Sequence, residues 1–348
     1  MEQLVKDLVA TLGAWLMSPY EASFAGLGEG SSFSGAGLWR VEHGDAIYVL
    51  RRWPAAATPQ CLDEIVRLQH HLAAAHLPVA APLALAEAPK KLVHIHFGAD
   101  AVPEFWTLSP WLAGVADYWT YPRPARLKSA LRTLADVHLA AASHIRPDAN
   151  GGPRTDHSPA LQKRADRLAA LQSGDLAELK SHVTRGPASL TRELAFHALA
   201  HSERALPRLN HEAHRWRDEP LPLHWVLRDV WHDHVLFTED RVTGVIDFGA
   251  AAVDSPAGDV ARLLGSLVGD DEAAWQIGLD AYASRRQLAP SELAAARFFD
   301  ASGTLLSAMN WVHWLYRDSS ALGPNVDLPA AHRRLERLVA RLRSLASA

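Results

Sequence analysis

The chain has 348 residues, 48% of them hydrophobic, and a formal net charge of −4. That length can bury two substantial cores, and the slight acidity argues against nucleic acid as a partner. The single cysteine, Cys61, excludes an intrachain disulfide and fits a reducing compartment. No stretch is apolar over the length that spans a bilayer. The N-terminus has no basic segment leading to a cleavage site, so a cytoplasmic protein is expected, with no membrane partner.

Residues 1–17 read as an amphipathic helix. From Leu27 to Gly37 the chain is rich in small residues, with Gly30, Ser31, Ser32 and Phe33 at its centre. Such a loop before a strand pair can turn its amides toward phosphate, although a plain surface loop has the same composition. Ala46 to Trp53 is a strand whose alternation puts Ile47, Val49 and Arg51 on one face and Arg52 on the other. After Pro54 and Pro59, a helix runs from Gln60 to Ala75, with Leu62, Ile65, Val66, Leu68 and Leu72 as its periodic apolar face. Asp63 and Glu64 lie in its first turns. Strands follow at Leu92–Phe97 and Phe105–Leu112, and a helix at Leu127–Ala142. Ser143 to Asp156 is a loop, and Leu161 to Ala213 is helical.

Further on, Asp270-Asp271-Glu272 opens a helix where acidic side chains suit the dipole. Another begins near Pro290 and runs through Trp311 and Trp314. These tryptophans, three apart, are core residues, or else an aromatic wall for a sugar or quaternary amine. A final amphipathic helix carries Arg333, Arg334, Arg337, Arg341 and Arg343, read as a solvated face.

The informative stretch is Leu223 to Leu264. Val235-Leu236-Phe237 and Val242 to Ile246 are short apolar runs separated by the polar Thr238–Arg241, which suits a hairpin. With Leu236 opposite Val245, the ladder places His234 opposite Asp247. A loop carrying Asp229 enters this hairpin where Asp247 leaves it. Two carboxylates and an imidazole then meet, and close carboxylates ordinarily need a cation. A different reading is a transition-metal site made by His224, His232, Asp233 and His234, although neighbouring residues point different ways.

Three motifs in order resemble the aminoglycoside/choline phosphotransferase family, a branch of the protein-kinase-like superfamily. That family shows H-x-D-x-x-x-x-N, then V-I-D-F-G, then D-P-x-x-D-L-A-R-L. Here they read Leu227-Arg228-Asp229 with His234, then Val245-Ile246-Asp247-Phe248-Gly249, then Asp254-Ser255-Pro256 with Asp259 and Arg262. Two positions depart: Leu227 replaces the family's His, and His234 replaces its metal-binding Asn. Imidazole is a poor partner for Mg²⁺ and a better one for Mn²⁺.

The resemblance implies an α+β, bilobal protein-kinase-like fold. A small antiparallel-sheet lobe would span residues 1–112. A mainly helical lobe would span 113–348, with a helical insertion near 157–213. It implies an ATP- or GTP-dependent phosphotransferase acting on a small-molecule hydroxyl, or alternatively a nucleotide-binding pseudokinase or regulatory protein. Asp229 would be catalytic, Asp247 and His234 would hold Mg²⁺ or Mn²⁺, and Asp259 would brace the catalytic loop. Arg51 would replace the phosphate-binding lysine, with Arg52 as the neighbouring choice, and Glu64 (or Asp63) would pair with it. The glycine-serine loop and Val49 would line the nucleotide. Ser109 and Trp111 lie in the segment that resembles the hinge, where backbone groups would read the base.

Overall fold

The computed structural model describes residues 2–16, 18–27, 36–97, 102–144, 154–318 and 328–347. Near the N-terminus lie β1 (Ser23–Gly26), β2 (Gly37–His43), β3 (Ala46–Arg52), β4 (His94–Phe97) and β5 (Pro103–Pro110). They form one antiparallel sheet in the spatial order β1-β2-β3-β5-β4. Alternation sorts the central strands by face. Leu50, Trp39, Val41, Trp106 and Leu108 turn outward and bury against Leu8 and Leu12 of α1 (Glu2–Leu12) and against Trp15. The opposite face of β3 is left to look toward the rest of the chain.

The next helix, α2 (Pro59–Ala74), starts cleanly because Thr58 accepts from the Cys61 amide at 3.3 Å and Pro59 takes the first helical position. Its Leu62, Ile65, Leu68 and Leu72 belong to a second core shared with Leu127, Leu131 and Leu134 of α3 (Pro124–Ser143). One apolar stripe therefore docks α2 on the helical lobe rather than leaving it on the sheet alone.

The region expected to be helical from 161 to 213 is three helices: α4 (Pro159–Ala170), α5 (Leu176–Arg185) and α6 (Leu190–Asp218). Gly174, at φ +153°, sits in a π-helical turn between the first two, and the Ser189 cap opens the third. Strands β6 (Thr155–His157) and β7 (Pro220–Pro222) pair across the ends of this block. Four more short strands surround the informative stretch. They are β8 (His224–Val226), β9 (Val235–Thr238), β10 (Arg241–Val245) and β11 (Ala252–Asp254); β8 pairs with β11 and β9 with β10.

Four helices complete the lobe: α7 (Pro256–Val268), α8 (Glu272–Ala283), α9 (Pro290–Tyr316) and α10 (Leu328–Ser347). The Asp271 side chain caps α8 by accepting from the Ala274 amide at 3.0 Å. Helices α4–α6, α9 and α10 share a third core. Trp311 is buried in it, which places this residue in the core rather than on a ligand wall. Together, sheet and helices make a bilobal, kinase-like fold. No helix among the described residues is long and apolar enough to cross a membrane.

Candidate active site

The β9–β10 hairpin forms, with its turn at Glu239-Asp240, but its register differs from the sequence expectation. Leu236 faces Gly244, not Val245, because an extra residue bulges between Val242 and Gly244. Tertiary contacts select the bulge. The Thr243 hydroxyl donates to the Ala113 carbonyl at 2.7 Å. Gly244 lies where any Cβ would stand 2.8 Å from Leu236. Ile246 consequently donates to the His234 carbonyl at 3.0 Å, so Ile246, not Asp247, is opposite His234. Asp247 follows one residue later in a left-handed conformation, φ +60°, and this turns its carboxylate back toward His234.

One face of α7 grips the loop that carries Asp229. Asp259, fully buried, accepts from the amides of Leu227 at 2.6 Å and Arg228 at 2.7 Å. Those bonds hold Arg228 in a left-handed turn, φ +63°, immediately before Asp229. One turn further along, Arg262 binds the Asp229 carboxylate. One turn beyond that, Ser266 accepts from the His232 amide at 3.0 Å. Positions 259, 262 and 266 share a helical face, so a single rigid element sets the loop at three points. Behind Asp259, His138 bonds it at 3.1 Å and the Tyr282 hydroxyl at 2.7 Å. Burial holds the His138 pKa down despite Asp259. His224 packs on His138, and burial, with His138 adding to it, pushes its pKa down to about 3.

His234 lies between the Asp229 backbone and the Asp247 carboxylate. Its Nδ1 lies 2.6 Å from the Asp229 carbonyl, which can only accept. Its Nε2 receives the indole N–H of Trp231 at 3.0 Å. The two partners fix the tautomer, with the proton on Nδ1 and the lone pair on Nε2. That same Nε2 is 3.9 Å from Oδ2 of Asp247.

Asp247 is also reached from the sheet. Arg51 of β3 lies 3.0 Å from Oδ1, with its guanidinium 4.2 Å from the Trp53 ring centroid. Burial alone would raise the Asp247 pKa. Arg51, His234 and the Gly249 amide more than offset it and hold the carboxyl below its ordinary value. Gly249 leaves room for this approach, since a Cβ there would stand 2.7 Å from the Arg51 guanidinium and push it aside. Arg52 points to the other face and pairs with Glu104 at 3.3 Å.

Glu64 is not the partner of Arg51. The stripe Leu62, Ile65 and Leu68 faces the core, so Glu64 turns to solvent, and Asp63 beside it pairs with Arg67 at 3.5 Å. Arg51 takes Asp247 instead. Val49 shares the inner face of β3 with Arg51, and Ser109 sits opposite it on β5. The Trp111 amide is engaged by the Ile47 carbonyl at 2.9 Å, so it is not free to read a base, while its ring is 38% exposed. Gly30, Ser31, Ser32 and Phe33 lie outside the described residues.

The transition-metal alternative does not assemble. His224 Nδ1 turns to the Trp225 carbonyl, and His232 pairs with Asp233 at 2.7 Å. Among the described residues, no group of three His, Cys, Asp or Glu side chains could hold a metal ion. Arg262 is the site residue that sequence reasoning missed; its signal was its place one helical turn after Asp259. The final-helix arginines also need correction. Arg334 and Arg337 do not face open solvent alone but line a cavity beside Trp231.

The profile of the phosphotransferase enzyme family matches residues 27–299. The chain belongs to this family. This phosphotransferase matches no curated protein in sequence. Its fold is similar to an amicoumacin kinase solved in complex with AMP-PNP, Ca²⁺ and Ami: TM-score 0.63, 12% identity, 99% of this chain and 93% of that one. It is also similar to a spectinomycin phosphotransferase solved with ADP and spectinomycin: TM-score 0.62, 13% identity, 99% and 98%. A microcompartment-associated aminopropanol kinase matches at TM-score 0.60, 17% identity, 99% and 96%. At these identities the likeness speaks for the shared fold; the family match makes the chain a phosphotransferase.

Proposed function

We propose that this phosphotransferase moves the γ-phosphoryl group of ATP or GTP to a hydroxyl of a small molecule. One observation carries the reading: at the foot of one hairpin His234 bonds the Asp229 backbone and lies 3.9 Å from the Asp247 carboxylate, which Arg51 of the sheet also reaches. Neighbours bound to AMP-PNP or ADP support a nucleotide donor, and the absence of a membrane-crossing helix among the described residues agrees with a cytoplasmic setting.

Phosphoryl transfer needs positioning and charge neutralisation more than covalent help from the protein. Asp229 would orient the acceptor hydroxyl and take its proton late in the step, with Arg262 keeping the carboxylate on station. Arg51 would trade Asp247 for a phosphate, which a guanidinium can grip through two N–H groups. Val49, Ser109 and the exposed Trp111 ring would border the nucleotide on the sheet side. The glycine-serine loop would cover its phosphates.

Oδ2 of Asp247 and the unprotonated Nε2 of His234, 3.9 Å apart, would hold one divalent cation once the Trp231 indole N–H releases the Nε2 lone pair. The carboxylate suits Mg²⁺ or Mn²⁺, and the imidazole favours Mn²⁺. When bound there, such a cation would neutralise phosphate charge.

Labelled-ATP transfer assays test this reading. Asp229→Asn is expected to lower transfer by roughly 10²–10⁴-fold while leaving nucleotide binding intact. Loss of transfer and binding together would reassign Asp229 to a structural role. His234→Asn is expected to keep or raise the rate with Mg²⁺, and a collapse would give the imidazole a dedicated task. The Arg51–Asp247 pair favours a second reading, a nucleotide-binding regulator, which ATP binding without turnover in either Mg²⁺ or Mn²⁺ would support.

A further inference from the structure

A cavity of about 890 Å³ opens between the loop that follows Asp229, α7, α9 and α10. That volume is in the range of small-molecule sites, roughly 300–1,000 Å³. Trp231, His232 and Asp233 form its wall nearest Asp229, and Arg262, which binds Asp229, lines it as well. Arg262 thus connects the cavity to the proposed base, which it binds from the cavity wall.

Its chemistry is unbalanced. Six arginines line it, Arg164, Arg262, Arg333, Arg334, Arg337 and Arg341, against two carboxylates, Asp233 and Asp300. Both carboxylates are already engaged: His232 bonds Asp233, and Arg341 bonds Asp300. Arg334 and Arg337 have no carboxylate partner among the described residues. Their guanidiniums lie 4.3 Å from the Trp231 ring centroid and 3.9 Å from that of Trp119. The Nε atoms of Arg164 and Arg262 are buried with no hydrogen-bond partner among the described residues.

Crowding like charges in a half-buried space is unfavourable. Burial, then the nearby Arg262, lowers the Arg334 pKa, and burial brings Arg164 to about 10. An anion would relieve this crowding, and a polycation would worsen it. Guanidinium forks also match the geometry of carboxylate and phosphate oxygens.

We propose that the phosphoryl acceptor is an anionic hydroxyl compound, one whose carboxylate or phosphate group is held by Arg334 and Arg337 while its hydroxyl meets Asp229. The proposal rests on the phosphotransfer reading of the same site. In the step it implies, the acceptor hydroxyl oxygen bonds to the γ-phosphorus as the bond to the β–γ bridging oxygen breaks. The hydroxyl proton passes to Asp229, and the nucleoside diphosphate leaves with the bridging oxygen.

The test uses the full chain and four probes of one carbon skeleton: gluconate, glucose 6-phosphate, glucose and glucosamine. Binding is titrated by calorimetry with a non-hydrolysable ATP analogue present, and transfer from labelled ATP is followed separately. At least one of the two anions is expected to bind about tenfold or more tightly than glucosamine, and the stronger of the two separates carboxylate from phosphate. Arg334→Gln and Arg337→Gln should each weaken that binding about tenfold, and Arg334→Lys should restore part of it. Arg337 is exposed, so its variant reports even where Arg334→Gln lowers stability. Glucosamine binding as well as both anions, or anion binding that neither variant weakens, overturns the proposal. Arginine-dependent anion binding without transfer upholds the anion pocket and counts against the phosphotransfer reading. Transfer to glucosamine alone overturns the anion pocket and upholds phosphotransfer.

Discussion

Asp229 is held by α7, and Asp247 is held by the sheet. Around Asp229, three fixing groups come from one helix: Asp259 on the loop amides, Arg262 on the carboxylate, Ser266 on the His232 amide. The bonds beneath it are buried and pass through His138 to Tyr282. Asp247 instead follows a hairpin bulge, and its main partner, Arg51, arrives from the other lobe at 3.0 Å. The Asp229 loop is thus set by a buried brace inside one lobe, whereas the Asp247 loop is set by a partly exposed pair between lobes. The contrast suits their proposed tasks. A base must stay where it is, and a group that meets nucleotide has to exchange partners.

The largest expected effect is on the brace. Asp259→Ala removes a fully buried carboxylate from two amides and an imidazole and should cost about 3 kcal/mol of stability or more, with transfer lost. Urea unfolding measures it. A cost under about 1 kcal/mol would mean that the loop holds itself.

Acid should break the two regions in a set order. His224 and His138 are held neutral by burial, so the unfolded chain binds more protons than the fold below the ordinary histidine pKa of 6.5. Their stabilising contribution is complete above pH 6.5 and falls as pH drops toward about 3, the folded value for His224. Between pH 6.5 and 5, His224 alone should cost about 2 kcal/mol, at 1.36 kcal/mol per unit. The Asp247 pKa is depressed, so its contribution persists through that window and is lost only below the ordinary carboxylate range. Denaturant midpoints across pH, for the native chain and for His224→Gln, test this. A variant with an unchanged slope would break the assignment.

The smallest stability effect belongs to the inter-lobe pair. Asp247 is 34% exposed at the side chain, so Arg51→Ala should cost about 1 kcal/mol or less. Its nucleotide affinity should nevertheless drop roughly tenfold. Gly249→Ala should produce part of the same affinity loss by pushing the guanidinium aside. If nucleotide titration shows Arg51→Ala binding like the native chain, the pair is structural only.

How much of this was legible follows from how local each feature is. The approach of His234 to Asp247 could be placed from the sequence because a short hairpin carries them at its two ends, with Asp229 on the loop leading in. The register slipped by one because the bulge depends on Ala113 and Leu236, contacts that no local pattern records. Arg51 was separable from Arg52 by strand alternation. Glu64 was not assignable, because its role depends on how α2 is turned by an apolar stripe docking elsewhere. The Arg334 and Arg337 face reads as solvated when its helix is considered alone. Only the packing of α10 beside α9 and α7 makes that face the wall of a cavity.

The Arg51 guanidinium can face Asp247 or a phosphate, but not both at full strength. A triphosphate entering the cleft would therefore draw the arginine off and uncover the second oxygen of Asp247 in one motion. Nucleotide and divalent ion would then load as a joint event rather than independently, and the resting protein would resist capturing a stray cation before its substrate is in place.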